Sequence, residues 1–195
     1  MKTKKRYRML LGALFLGSVV FFLPPLWAQD DASKEQMRAD VRKMAGETLA
    51  RLYKIQPGAR KAVEGAAGYA VFSNFGMKIF LAGGGSGEGI AVNNKSKKET
   101  FMKMIEVQAG LGLGIKKFRL VWVFANQSLL NDFVESGWAL SGQTTAAAKL
   151  NEDGGAVAGA MSVSPGIWLY QLTDDGLALE LTAKGTKYYK DDALN

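Results

Sequence analysis

Glycine placement constrains this chain more than any other feature of it. The stretch Gly68–Gly89 reads GYAVFSNFGMKIFLAGGGSGEG, with Gly83, Gly84, Gly85, Gly87 and Gly89 inside seven positions. Two β-like runs, Tyr69–Phe72 and Met77–Leu81, flank Ser73, Asn74 and Gly76. Glycine within strand-like sequence marks a bulge or a place where backbones come close. The cluster is therefore expected to be an architectural seam, a tight hairpin or bulge that needs glycine's positive φ. A P-loop requires Lys-Ser/Thr after its glycines, and a dinucleotide fingerprint requires a helix. Here Ile90-Ala91-Val92 and a lysine-rich turn follow.

The same habit recurs downstream. Phe101–Ile115 ends in VQAGLGLGI. Alternation puts Gln108, Gly110, Gly112 and Gly114 on one face and Val107, Ala109, Leu111, Leu113 and Ile115 on the other. A face of nearly bare backbone lets a helix or an aromatic ring sit close. Phe118–Phe124, FRLVWVF, reads as a buried strand. Further strand-like runs are Trp138–Leu150, Ala156–Val163, Gly166–Leu172 and Gly176–Ala183. The turns between them are Asn151–Gly155, Ser164-Pro165 and Thr173–Asp175, and Asp175-Gly176 is a hairpin signal. This spacing predicts a largely antiparallel sheet, curled or closed into a partial barrel. Lys184–Asn195 reads as a polar tail around Tyr188 and Tyr189.

Helices precede and interrupt the sheet. Ser33–Gln36 spells a capping box. Apolar residues at Met37, Val41, Met44, Ala45, Leu49, Leu52 and Ile55 then follow in steps of three and four, predicting an amphipathic helix that ends at Gln56-Pro57-Gly58. Its other face carries Arg38, Arg42, Lys43, Glu47, Arg51 and Lys54. That face is read either as a solvated surface of a packed helix or as a basic surface touching a membrane. Ala59–Gly65 is a second short helical piece. Asn126 is an N-cap for a helix at 127–135, with Leu129, Leu130, Phe133 and Val134 inward and Gly137 as its stop.

The first 28 residues stand apart. Lys2, Lys4, Lys5, Arg6 and Arg8 precede an apolar run, Met9–Leu23, then Pro24-Pro25 and Leu26-Trp27-Ala28. This is the layout of an export signal cleaved after Ala28; the competing reading is a retained anchor, for which a 15-residue run is short. The chain carries +7 overall, but five of its 25 basic residues lie in that segment. Residues 29–195 hold 20 basic and 18 acidic side chains, a net charge of +2. The high isoelectric point thus belongs largely to the targeting segment and does not imply nucleic-acid binding.

The chain contains no Cys and no His. A disulfide framework is therefore excluded, and the usual zinc ligands and general base are missing. Around Ser86 the pattern G-x-S-x-G fails at Glu88. Asp174-Asp175 and Asp191-Asp192 fall in a turn and a tail, where acids are solvated. No catalytic residue, metal ligand or cofactor site is expected. The remaining surface candidates are two basic clusters, Lys95/Lys97/Lys98 and Lys116/Lys117/Arg119, each read as a turn. They could attract anionic headgroups, at about 1 kcal/mol per basic residue, or be ordinary polar turns that protect sheet edges. Were Glu99–Ile115 one straight strand, the clusters would lie about 55 Å apart. One patch requires a sharp bend near Gly110–Gly114.

Taken together, GYAVF (Gly68–Phe72), GGGSGEG (Gly83–Gly89), GLGLGI (Gly110–Ile115) and LVWVFANQSLLNDFVESGW (Leu120–Trp138) resemble the SYLF domain, the lipid-binding module of yeast actin-regulating proteins that also occurs in bacterial exported proteins. Gly176–Leu181 and Tyr188-Tyr189 match more weakly, and the resemblance spans roughly residues 45–190. It implies an α+β fold and contact with membrane lipids. The resulting expectation is a signal peptide (1–28) and one domain (29–195), comprising a helical segment (29–65), a β-rich core (66–184) and a polar tail (185–195). Its function is expected to be non-catalytic binding to an anionic lipid or membrane surface after export to the periplasm or beyond. The alternative is a periplasmic structural or protein-interaction module without lipid binding.

Overall fold

The computed structural model describes residues 26–79, 82–109, 114–140, 149–150, 157–174, 176–177 and 185–195. The export-signal run through residue 25, the GLGL of residues 110–113, the middle of the Trp138–Leu150 run, the start of Ala156–Val163, Asp175 and the end of Gly176–Ala183 lie outside these residues.

The protein is α+β. Helix α1 spans Leu26–Ile55 and α2 Gly58–Gly65, followed by strands β1 (Gly68–Ile79), β2 (Ala82–Asn93), β3 (Glu99–Ala109) and β4 (Gly114–Phe124). Helix α3 (Gln127–Glu135) precedes β5 (Trp138–Leu140), β6 (Lys149–Leu150), β7 (Met161–Ser164), β8 (Ile167–Thr173), β9 (Gly176–Leu177) and β10 (Thr186–Lys190). All described pairings are antiparallel, in the order β5-β10-β3-β2-β1-β4-β8-β7-β6, with β9 beside β8.

The sheet curls, and the ring contacts show how far. Tyr188 of β10 and Trp122 of β4 are four strand positions apart, about 19 Å in a flat sheet. Their ring centroids are 5.0 Å apart. Trp138 of β5 also reaches Trp122, at 6.4 Å. This concave side is filled by Phe72, Met104, Leu120 and Leu169 and plugged by α3, whose Phe133 meets Phe72, Trp122, Phe124 and Tyr188. The convex side at the same end packs Val71, Ile90, Val121 and Tyr170 against Val41, Ala45 and Leu52 of α1 and Val63 of α2.

The glycine cluster does its work differently from expectation. Gly68–Ile79 is one continuous strand, and Gly83–Gly89 is the partner strand rather than a turn or bulge. Positive φ occurs instead at Gly137, Gly159, Gly166, Gly176 and Gly185. What β2 needs is space. A Cβ on Gly89 would overlap the Cδ1–Cε1 edge of the Phe72 ring and lie 2.5 Å from the Val71 carbonyl oxygen, and one on Gly87 would lie 2.7 Å from Met104 Cγ. Missing side chains on the concave face of β2 let its neighbours fold inward.

Helix α3 occupies the expected residues, and Asn126 Oδ1 accepts from Leu129 N at 3.0 Å. Helix α1 ends at Ile55 as expected but begins well before Ser33. Nothing in Gln29–Ala32 breaks a helix, so the Ser33 capping box is bypassed; Lys34 pairs with Asp30 and Gln36 donates to Asp40 instead. Residues 185–195 are not a polar tail. Thr186–Lys190 is an interior strand of the sheet, because alternation turns Tyr188 into the core while Lys187 faces out. The last residues then fasten to β3. Asn195 Oδ1 accepts from Phe101 N, and its Nδ2 donates to the Phe101 and Asp191 carbonyls.

Candidate functional site

The two predicted basic clusters are far apart. Asn93, at the start of the lysine turn, pairs with Gly68, whereas Lys117 pairs with Phe75. Seven residues along β1 separate those rows, about 23 Å, plus two strand spacings of about 5 Å each. The single-patch arrangement is therefore ruled out. Lys116 and Lys117 are also not in a turn. They sit inside β4, and successive strand residues face opposite ways. Lys117 shares the convex face with Arg119, and Lys116 is placed on the concave face.

The first cluster is a rigid turn. Asn93 Oδ1 accepts from Lys95 N and Ser96 N, Lys97 adopts a positive φ of 59°, and Lys97 N donates to the Asn93 carbonyl at 2.8 Å. Asn94 Nδ2 ties the turn to the carbonyls of Val63, in the last turn of α2, and Ala66, just after it. Lys95, Lys97 and Lys98 are exposed and form no ion pair among the described residues. Lys98 borders a groove of about 450 Å³ that also takes in Arg38, Arg42 and Lys190. Arg42 is held there by Glu35 and Glu99 and stacks over Phe101. The basic face of α1 is thus largely spent on clamping the helix down. Arg38 Nε donates to the Leu194 carbonyl, and Arg51 Nη2 donates to the carbonyls of Thr173 and Asp174.

The second cluster belongs to a wider band. One row crosses the convex face as Arg119, Ser73, Glu88, Lys103 and Tyr189, and the next as Lys117, Phe75, Ser86, Ile105 and Lys187. The band is about 19 Å wide, four strand spacings. Helix α1 lies along one border. Between the two runs a groove of about 480 Å³ that includes Asp40, Met44, Ser73, Glu88 and Tyr189. A second hollow of about 290 Å³ continues past Ser73 to Lys117, Arg119 and Arg51. Arg119 is 3.8 Å from Glu47 and also donates to Thr48 Oγ1. Lys103 Nζ is 2.9 Å from Asp191 Oδ1, a bond that raises the lysine pKa. Lys117 and Lys187 are exposed.

Sequence reasoning missed Lys103, Lys187 and Tyr189. Their signal was the alternation in FMKMI and TKYYK, legible only once each segment was known to be a strand in this register. Within the concave core, Trp122 Nε1, Trp138 Nε1, Tyr188 Oη and Thr186 Oγ1 are buried without a well-formed hydrogen bond among the described residues, although Trp122 and Thr186 lie near enough to interact with the Tyr188 hydroxyl. Burial, reinforced by nearby Glu106, drives the Tyr188 pKa far above its ordinary value. Among the described residues no three carboxylates converge as a metal site would require.

Fold and surface together define an α+β protein with a helix-backed curled sheet and a band of cations and tyrosine across its open convex face. No family model matches the chain. It is 31% identical over 166 residues to the protein called beta cell expansion factor A of Aeromonas veronii. The match takes in 82% of this chain, which spans 59% of that relative's length.

Proposed function

We propose that this is an exported, non-catalytic protein that binds an anionic lipid or membrane surface, in keeping with its resemblance to SYLF domains. The observation that carries the reading is the convex band. Lys117 and Lys187 are exposed beside Arg119, Lys103 and Tyr189 on a face that α1 leaves open. Cations with tyrosine match the polar interface of an anionic bilayer. The Lys95/Lys97/Lys98 turn, at the other end of the sheet, is the competing contact. A second reading, a protein-interaction module without lipid binding, is favoured by the Glu47 and Asp191 partners that offset Arg119 and Lys103.

Co-sedimentation with vesicles decides among these. Binding to phosphatidylcholine–phosphatidylglycerol vesicles, weakened by salt and absent with phosphatidylcholine alone, is the expected result. Lys117→Ala with Lys187→Ala should weaken it roughly tenfold or more, at about 1 kcal/mol per lysine. Loss confined to Lys95/Lys97/Lys98→Ala would move the contact to the turn. No binding to anionic vesicles at low salt would leave the interaction-module reading.

A further inference from the structure

The row that crosses the convex face is not uniformly basic. Arg119, Ser73, Glu88, Lys103 and Tyr189 lie side by side on β4, β1, β2, β3 and β10. Helix α1 runs along this row, with Asp40 lining the hollow at the Lys103 end and Arg51 the hollow at the Arg119 end. From Asp40 to Arg51 the helix rises about 17 Å, close to the four strand spacings of about 19 Å that the row covers. The two hollows, of about 480 and 290 Å³, adjoin at Ser73 and form one trough between helix and sheet. Its ends differ in charge. At one end Arg51, Lys117 and Arg119 outnumber Glu47 and Asp174. At the other, Asp191 occupies Lys103 at 2.9 Å, while Asp40 and Glu88 are exposed and have no ion pair among the described residues. Val41 and Met44 supply an apolar wall beside them.

A simple anion is attracted to one end of this trough and repelled by the other, and a simple cation the reverse. Arg119 and Glu88 lie two strand spacings apart, about 10 Å. That is comparable with the distance over which salt screens charge, so each end acts on its own part of a ligand. We infer that the trough is a binding site for a zwitterionic phosphoamine, the headgroup of phosphatidylethanolamine. Its phosphate points toward Arg51, Lys117 and Arg119, and its ammonium lies between Asp40 and Glu88. This inference rests on the proposed membrane contact and names the headgroup that the contact selects. A guanidinium carries several N–H donors. The bonds of Arg119 to Thr48 and of Arg51 to the Thr173 and Asp174 carbonyls use only some of them and fix both groups in place. Carboxylates only accept hydrogen bonds, so they suit a primary ammonium, which has N–H groups to donate. The trimethylammonium of phosphatidylcholine has none. The site therefore separates two lipids of equal net charge, which a general attraction to negative surfaces does not.

Sedimentation of the full chain with two vesicle mixtures tests this. One is equal parts phosphatidylglycerol and phosphatidylethanolamine, the other equal parts phosphatidylglycerol and phosphatidylcholine, so their surface charge is the same. The chain should bind the ethanolamine mixture roughly fivefold or more tightly. Asp40→Asn with Glu88→Gln should abolish that difference while leaving binding to the choline mixture intact, which also shows that the variant is folded. Glu88→Gln alone, at an exposed strand position, should shrink the difference. Free O-phosphoethanolamine should compete it away. Equal binding of the unaltered chain to both mixtures overturns the headgroup site and leaves the surface-binding reading. So does a difference that survives both variants, which would come from bilayer packing. Free phosphoethanolamine that binds, by calorimetry, a chain with no preference between the mixtures overturns the lipid as the source of the ligand. A chain that sediments with neither mixture overturns the site and the membrane contact together.

Discussion

Trp122 and Tyr188 touch edge to face at 5.0 Å although three strands lie between theirs in the sheet. This contact is the closure of the curled sheet. It joins β10, near one margin, to β4 beyond the centre, and Phe133 of α3 packs on both rings. The fold therefore depends on Tyr188 as an aromatic body more than as a phenol, since its hydroxyl makes no well-formed hydrogen bond among the described residues. Tyr188→Leu should cost about 2–4 kcal/mol, through lost ring contacts and a residual cavity. Tyr188→Phe should cost less than about 1 kcal/mol, because the buried hydroxyl it deletes is poorly satisfied. Urea melts of the two variants provide the comparison, and equal losses would show that the hydroxyl matters after all.

The glycines of β2 differ in what they tolerate. Gly89→Ala should destabilise by at least about 2 kcal/mol, since its Cβ falls on the Phe72 ring with backbone behind it. Gly84→Ala should change stability by less than about 1 kcal/mol, its nearest neighbour being the Glu106 carbonyl oxygen at 3.5 Å. Thermal melts of both distinguish crowding from mere glycine richness.

Asn195 acts as one more strand residue laid against Phe101, donating to its carbonyl and accepting from its amide. Asn195→Ala should cost about 1–2 kcal/mol. Hydrogen exchange at the Phe101 amide should accelerate, while the β1–β2 ladder stays protected.

Alkaline pH should weaken the fold before it weakens the chain chemically. Burial pushes the Tyr53 and Tyr170 hydroxyls up to about 12, and it moves Tyr188 further in the same direction. An unfolded tyrosine titrates near 10. Above that value the folded state holds more protons than the unfolded state, so stability falls with rising pH. The contribution should be complete below pH 10 and disappear as pH climbs through about 12. Denaturant midpoints across pH 8–12 should stay level and then decline, with the tyrosinate absorbance of the folded protein rising late.

Local rules made much of this molecule readable. Gln56-Pro57-Gly58 ended α1, Asn126 and Gly137 bounded α3, and Thr173–Gly176 made a hairpin, because caps, stops and turns act within a few residues. Alternation likewise announced β3, and a β-branched and aromatic run announced Phe118–Phe124 of β4, whose first residues, Gly114–Lys117, read instead as the end of the preceding strand and a turn. The sequence did not show that the glycine cluster was a strand, since crowding by Phe72 and Met104 arises only across the ladder. Nor could it place Tyr188, which looked like part of a polar tail until two neighbouring strands gave it a core.

By itself, then, the sequence determined α3, the end of α1, a largely antiparallel strand pattern and a chemistry without His or Cys. Tertiary structure decided which residues share a surface. Lys116 and Lys117 are adjacent in sequence yet lie on opposite faces. Lys117 and Lys187 lie 70 positions apart in the chain yet share one row of the convex face. Register causes this difference: strand pairing fixes neighbours over long separations, and a shift of one residue would exchange every inward and outward side chain.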